Sequence, residues 1–196
     1  MKKIILASKS PRRHEILTLA GFEHEIIVSD ADESVPASYT PAEAVRAISA
    51  KKASAVLSEI DTSLYEDGLV IVAADTVVDV DGVIFGKPKG EADAERMLRV
   101  LSGRRHFVHT GVTVTDGRKT LTAVETTAVV MREIKEDEIK GYAASGEPLD
   151  KAGAYAVQGK AGAFVKKLEG DYFNVMGLPL CVTCGMLNEF GINLSF

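Results

Sequence analysis

The chain has 196 residues, of which 46% are hydrophobic and 26% are charged, an ordinary balance for a globular protein. A chain of this length can bury roughly 70% of its unfolded surface, so we expect one domain over residues 1–196, built as two lobes. The net charge of −5 argues against a general nucleic-acid binder, whose affinity depends on neutralising phosphates. No membrane span is predicted, and the apolar run 4–7 is too short for an export signal, so we expect a cytoplasmic protein.

A predicted strand near the start leads into residues 8–13, Ser-Lys-Ser-Pro-Arg-Arg. Ser10 is a good N-cap with a proline after it, which predicts a helix that continues to Gly21. Such a helix N-terminus attracts anions through its free N–H groups and its dipole. Arg12 and Arg13 lie in the first turn, where cations oppose the dipole, so helix stability does not explain them. They are either solvated or hold a polyphosphate, and their unfavourable placement favours phosphate.

The next predicted strand covers residues 23–28 and is followed by an acidic loop, residues 29–38. Asp30, Asp32 and Glu33 in this loop are either metal ligands or merely solvated, and composition alone does not choose between these alternatives.

A capping box at Thr40 predicts a helix that reaches about Ser58. Lys52 falls on the apolar face of this helix. It either extends along the apolar surface to reach solvent or points into a cleft, and the spacing leaves both readings open.

The most informative stretch is Leu69–Thr76, a run of apolar residues that ends in Asp75 and Thr76. The run predicts a strand buried on both faces. The chain stays extended to Val80 and turns only at the following Asp-Gly pair, so Asp75 lies inside extended structure, where aspartate is disfavoured. A residue kept where propensity opposes it is a candidate functional residue.

A second hairpin strand, residues 83–85, is followed by Gly-Lys-Pro containing Lys87, a weak signal because no Walker A spacing accompanies it. The patterns further along predict these elements in order: a helix over 91–101, strands over 106–115 and 119–131, and a helix over 135–145.

The long stretch 146–159, rich in glycine and polar residues, is a candidate functional loop. Asp150 and Lys151 within it could simply pair with each other, whereas Gln158 has no implied charge partner. The chain closes with a turn over 174–179 and a last helix over 178–190. Cys181 and Cys184 form a C-x-x-C in that helix, and their spacing predicts buried helix positions rather than a redox or zinc site.

Taken together, these residues resemble the Maf family of nucleoside triphosphate pyrophosphatases. The matching segments occur in family order over nearly the whole chain: Ser8-x-Ser10-Pro11-Arg12-Arg13, Glu33, Lys52-Ala53, Ala74-Asp75-Thr76-Val77, Gly86-Lys87-Pro88, Ser102-Gly103-x-x-His106, Asp150-Lys151-Ala152-Gly153-x-Tyr155-x-x-Gln158-Gly159 and Asn174-Val175-x-Gly177-Leu178-Pro179. Arg12, Thr76 and Gln158 are similar to the residues of the branch that acts on dTTP and UTP.

The resemblance implies an α/β fold with a long twisted mixed sheet, helices on both sides and a central cleft between two lobes, like that of inosine triphosphatase. It implies a cytoplasmic homodimer that converts dTTP or UTP to the monophosphate and pyrophosphate with Mg²⁺ or Mn²⁺. Asp75 would accept the proton, and Glu33, Lys52 and Lys87 would complete the catalytic set. Glu33 and Asp75 would also hold the metal. The substrate would contact the following residues: Ser8, Arg12, Arg13, Thr76, Asp150, Lys151 and Gln158.

Two alternatives remain open at this stage. The cleft could bind a nucleotide without turnover and regulate cell division, or it could hydrolyse modified purine triphosphates. Carboxylates beside a cationic pocket favour catalysis over the first alternative, and Gln158 together with the Ser-Pro-Arg-Arg motif argues against the second. Whether Asp75 acts as base or metal ligand is not decided by the sequence.

Overall fold

The computed structural model describes residues 2–65 and 68–194, which form an α/β structure around one mixed sheet. Its strands are β1 (Lys3–Leu6), β2 (His24–Ile26), β3 (Leu69–Val80), β4 (Val83–Phe85), β5 (Arg105–Thr115), β6 (Thr120–Met131) and β7 (Val165–Glu169). Its helices are α1 (Pro11–Leu19), α2 (Pro41–Glu59), α3 (Glu91–Leu101), α4 (Glu136–Ala144), α5 (Tyr172–Met176) and α6 (Leu180–Asn188). Four short 3₁₀ segments cover Thr62–Leu64, Glu147–Asp150, Ala152–Ala154 and Lys160–Phe164.

The strand order is β2-β1-β3-β5-β6-β7, with β4 paired to β3 beside this path. β1 is parallel to both β2 and β3, whereas β3, β5, β6 and β7 pair antiparallel. The predicted mixed sheet is therefore confirmed. β3 is its central strand, since it pairs with three others.

Helices cover both faces of the sheet, as predicted. Because side chains alternate along a strand, Ile71 and Ala73 pack with residues of α2, whereas Val70 and Val72 pack with residues of α1 and α6. The far end of β3 belongs to a separate core, in which Val78 packs with residues of α3 and α4. Thus β3 runs through two lobes, and Asp75 lies near their junction.

Gly111 lets α2 lie unusually close to the sheet at the level of Asp75. It is paired with Asp75 across β3 and β5. A Cβ atom at this position would lie 2.2 Å from the carbonyl oxygen of Val45 in α2, which is far inside van der Waals contact. The absence of that atom lets the backbone of α2 at Val45 pack directly against the strand position that is paired with Asp75.

Most predicted elements are confirmed with small shifts at their ends, and the capping box at Thr40 is present. The predicted strand 23–28 is shorter, His24–Ile26. The predicted loop 146–159 contains two 3₁₀ segments, and the predicted turn 174–179 begins inside the short helix α5. β7 is an additional strand that the pattern did not predict.

The prediction that both cysteines are buried was wrong for Cys181, which is exposed, while Cys184 is half-buried. Both lie in α6 as expected, but the buried stripe of that helix consists of Thr183, Met186 and Leu187. Cys181 lies off this stripe, which explains its exposure. Within the described residues, no helix is long and apolar enough to cross a membrane.

Candidate active site

A cleft of about 590 Å³ opens between the two lobes. Its walls come from the end of β1, the first turn of α1, the loop 28–33, α2, β3 and the segment 150–158. Every site residue predicted from the sequence lines it: Ser8, Arg12, Arg13, Glu33, Lys52, Asp75, Thr76, Lys87, Asp150, Lys151 and Gln158. The fold therefore gathers into one cavity residues that are up to 150 positions apart along the chain.

Lys52 joins the two candidate catalytic carboxylates. Its Nζ lies 2.7 Å from Oδ1 of Asp75 and 3.2 Å from Oε1 of Glu33. The side chains of Lys52 and Asp75 are only 18% and 14% exposed, whereas that of Glu33 is 58% exposed. Of the two interpretations of Lys52, the structure supports the one in which its side chain points into the cleft.

Arg13 is held by three acceptors at the N-terminus of α1. Its Nε donates to the Gly177 carbonyl at 2.7 Å, its Nη1 to Ser8 Oγ at 3.0 Å and its Nη2 to Thr76 Oγ1 at 3.1 Å. Burial lowers the pKa of the guanidinium below its ordinary value, and the nearby Asp75 counteracts this effect. Arg13 is therefore an oriented cation, which rules out the interpretation of this residue as merely solvated.

Arg12 spans the cleft to the other lobe. Its Nη1 lies 3.1 Å from Oδ2 of Asp150, which also pairs with its neighbour Lys151. Burial would raise the pKa of Asp150, but hydrogen bonds from Lys151 and Arg12 outweigh this and hold the pKa below its usual value. The pairing between Asp150 and Lys151 is thus confirmed, and Arg12 extends it into a three-residue charge cluster.

Lys87 and Gln158 are exposed residues on the cleft wall. Among the described residues, neither side chain forms a hydrogen bond or an ion pair. They are placed to meet a molecule in the cleft. The segment that carries Gln158 is fixed by Glu147, whose Oε1 accepts hydrogen bonds from Tyr142 Oη and the Lys160 amide, each at 3.0 Å.

The carboxylates fit a magnesium-type site. Within residues 2–65 and 68–194, no group of three or more histidine, cysteine or acidic side chains is arranged to enclose a metal ion. Glu33 and Asp75 each place one carboxylate oxygen against the Lys52 ammonium, at 3.2 and 2.7 Å, and each keeps a second oxygen that could face a metal. Mg²⁺ commonly binds through one or two carboxylates, with phosphate oxygens and water completing its shell.

Sequence reasoning missed part of the site. The Gly177 carbonyl accepts from Arg13, and Thr110 Oγ1 lies 2.9 Å from Thr76 Oγ1. Gly177 has φ +118°, a conformation that favours glycine and orients this carbonyl at the end of α5. The sequence placed Gly177 only in the predicted turn 174–179 and gave no sign of the role of its carbonyl.

Comparison with known proteins finds matches over nearly the whole chain. Residues 3–190 match the family model described as Maf-like protein. The chain is 45% identical over 195 residues to a dTTP/UTP pyrophosphatase of Bacillus thuringiensis subsp. konkukian and to one of Bacillus cereus strain AH187; each alignment covers 100% of this chain and 99% of the relative. A dTTP/UTP pyrophosphatase of Bacillus anthracis is 44% identical over the same coverage.

Among solved structures, the Staphylococcus aureus Ham1 protein is similar with a TM-score of 0.48 and 17% identity, covering 83% of this chain and 91% of the other. The family assignment rests on the family model and the sequence relatives alone. On that basis, the chain belongs to the Maf family.

Proposed function

We propose that this protein hydrolyses dTTP and UTP to the nucleoside monophosphate and pyrophosphate, and so removes these nucleotides from the cellular pool. The observation that carries the proposal is the convergence in one cleft of two carboxylates, Asp75 and Glu33, with an oriented Arg13. The names of the relatives, each similar over the whole chain, support the same activity.

Arg13 is suited to a phosphate group. A guanidinium has five N–H groups, and three are used by Gly177, Ser8 and Thr76. The two that remain, one on each terminal nitrogen, are available to phosphate oxygens. The N-terminus of α1 adds free N–H groups and a favourable dipole beside this fork.

Further cations line the same cleft and would meet the rest of the phosphate chain. Lys87 is exposed on one wall of the cleft. Arg12 and Lys151 also line the cleft, and Asp150 forms an ion pair with each of them. Nucleotidyl transfer depends mainly on positioning and on stabilising charge in the transition state. This distribution of positive charge would supply both the positioning of the phosphates and the stabilisation of their charge.

We assign to Asp75 the role of accepting a proton from the attacking water. It is mostly buried, it ends the apolar run of β3, and Lys52 orients one of its oxygens at 2.7 Å. General-base action of this kind typically contributes about 10²–10⁴-fold to the rate. A non-catalytic phosphate-binding cleft would gain nothing from carboxylates beside its cations.

We further propose that the enzyme uses Mg²⁺ or Mn²⁺, held by Asp75 and Glu33. When bound, the ion would neutralise phosphate charge. The cytoplasm as the compartment and a homodimer as the assembly are also proposals, supported by the family resemblance. Light scattering of the purified protein tests the second, since a monomer mass would contradict it.

The recognition of the base is assigned to Gln158. Uracil and thymine present two carbonyl acceptors around the N3–H donor. A glutamine amide offers one donor and one acceptor, so it can pair with that edge. The pairing leaves C5 free, which permits the thymine methyl group, and nothing in it distinguishes ribose from deoxyribose.

The test is a substrate panel. The protein is incubated with Mg²⁺ and each of dTTP, UTP, CTP, GTP, ATP and ITP, and pyrophosphate and monophosphate are quantified. We expect the highest kcat/KM for dTTP and UTP, with equimolar products. A preference for ITP would instead indicate an enzyme for modified purines, and nucleotide binding without pyrophosphate release would indicate a regulator; either result would overturn the proposal.

A further inference from the structure

Two of the three acceptors that orient Arg13 trace back to one short element, α5. The Gly177 carbonyl follows this helix directly and accepts from Nε at 2.7 Å. On the other side of the guanidinium, Nη2 donates to Thr76 Oγ1, and that hydroxyl is connected through Thr110 to the carbonyl of Asn174 in α5. The same helix therefore holds the guanidinium on two sides, directly through Gly177 and indirectly through Thr76 and Thr110.

The hydroxyl chain has a defined direction because each threonine has a single proton. Thr110 Oγ1 lies 3.1 Å from the Asn174 carbonyl, which can only accept, so the proton of Thr110 points there. Either hydroxyl could donate across the 2.9 Å contact between Thr110 and Thr76, and the shorter carbonyl contact, 3.1 Å from Thr110 against 3.4 Å from Thr76, favours Thr76 as the donor. Thr76 consequently presents a lone pair, and not a proton, to Arg13.

Asn174 fixes the far end of this chain. It is fully buried, and its Nδ2 donates to the Val108 carbonyl at 3.0 Å and to Thr127 Oγ1 at 2.9 Å. These two bonds attach α5 to β5 and β6. The carbonyl that receives the Thr110 proton is therefore held in place by the sheet itself.

We propose that Thr110 is a positioning residue for the active site, one that acts through Thr76 to hold the Arg13 guanidinium at the angle needed for the phosphate chain. Thr110 is fully buried, so it does not contact substrate itself. Without the Thr110 oxygen, the Thr76 proton would be left with the Gly177 carbonyl 3.4 Å away, the same carbonyl that accepts from Arg13 Nε. This inference rests on the proposed function insofar as Arg13 is assigned to phosphate.

The kinetic test compares three isosteric or near-isosteric variants. Thr110→Val keeps the shape and removes the oxygen, whereas Thr110→Ser keeps the oxygen. Thr113→Val is the matched control: Thr113 is equally buried on the same strand, but it points to the opposite face and bonds Ser49 and Thr122 outside the cleft. We expect Thr110→Val to lower kcat/KM for dTTP about tenfold, and Thr110→Ser and Thr113→Val to change it less than about threefold.

A double-mutant cycle separates positioning from a general loss of stability. In an Arg13→Lys background the bond to Thr76 is already lost, so adding Thr110→Val should change kcat/KM less than about twofold. An undiminished effect in that background, or equal losses in Thr110→Val and Thr113→Val, would overturn the inference.

A measurement without substrate keeps the inference testable if the proposed activity fails. The Arg13 Nε–H resonance in a ¹⁵N NMR spectrum, assigned by its loss in Arg13→Lys, reports on the order of the guanidinium. We expect Thr110→Val to accelerate exchange of this proton with solvent several-fold, and Thr113→Val to leave it unchanged. An unchanged exchange rate in Thr110→Val contradicts the positioning role, whatever the wild-type protein hydrolyses.

Discussion

The ammonium nitrogen of Lys52 lies 2.7 Å from Oδ1 of Asp75, although the two residues belong to a helix and a strand that are 23 positions apart. The same nitrogen contacts Glu33 at 3.2 Å. Lys52 therefore lies between the two carboxylates that we propose to be catalytic, and it brings positive charge to the cleft. The helix that carries Lys52 also approaches the sheet closely at Gly111, the residue paired with Asp75.

Replacing Lys52 or Lys87 by alanine should weaken handling of the triphosphate more than binding of the monophosphate. Each change removes a cation that we assign to the phosphate chain. The measurements are kcat/KM for dTTP and Kd for dTMP, with Lys89→Ala as the control because Lys89 is exposed but does not line the cleft. Equal losses for dTTP and dTMP would place the lysines away from the outer phosphates.

Gln158→Glu should reduce activity on dTTP and UTP through the base. Glutamate offers only acceptors and would set a negative charge against a carbonyl oxygen of the base. Sites that depend on a hydrogen bond discriminate strongly once a polar group loses its partner. The check is kcat/KM for dTTP, UTP, CTP, GTP and ATP in wild type and variant. An unchanged order of preference would show that Gln158 does not recognise the base.

Glu147→Ala should loosen the segment that carries Gln158. The substitution removes the acceptor shared by Tyr142 and the Lys160 amide, and a lost acceptor of this kind costs about 1–3 kcal/mol. We expect a higher KM for dTTP and faster proteolysis after residue 150. Glu147→Gln retains an acceptor oxygen and should stay close to wild type; similar behaviour of the two variants would refute the anchoring role.

His106 should make the fold sensitive to acid. Burial lowers its pKa to about 4 from an ordinary value of 6.5, and its Nε2 lies 2.8 Å from Tyr155 Oη in the core. Because the folded-state pKa is depressed, the contribution to stability is complete above pH 6.5 and is lost as the pH falls toward 4. This pKa shift corresponds to about 3 kcal/mol in the free energy of unfolding.

The corresponding measurement is the free energy of unfolding by urea at several pH values between 7 and 4, for wild type and His106→Gln. Both proteins share the titration of the carboxylates, so the difference between their curves isolates His106. We expect the wild-type curve to fall more steeply below pH 6.5. Parallel curves would mean that His106 does not remain neutral in the core.

The sequence predicted the parts of the site that local rules govern. Ser10 and its proline marked the start of α1, and Asp75 stood out because aspartate is disfavoured in a strand. The structure places both as expected, although Ser10 makes no capping hydrogen bond with its side chain. Lys52 remained ambiguous because helical spacing defines a face but not what lies opposite it.

The remaining features depend on contacts between distant segments. Thr110 lies in a strand rich in threonine and valine, where alternation alone does not reveal which hydroxyl meets a functional group. The Gly177 carbonyl accepts a hydrogen bond from Arg13, although the two residues are 164 positions apart in the sequence. The spacing of Cys181 predicted a buried position, but its exposure depends on which face of α6 packs against the sheet. Such outcomes follow from sheet register and packing, not from local pattern.

The central claim is that this cleft cleaves pyrimidine triphosphates with Asp75 in the catalytic role. Its most direct test is pyrophosphate release from dTTP and UTP by wild type and Asp75→Asn, together with the Kd of each nucleotide for both proteins. The amide keeps the shape of the side chain but loses the negative charge and the base. We expect turnover to fall about 100-fold or more while Kd changes little. Turnover of the variant within about tenfold of wild type would contradict the account.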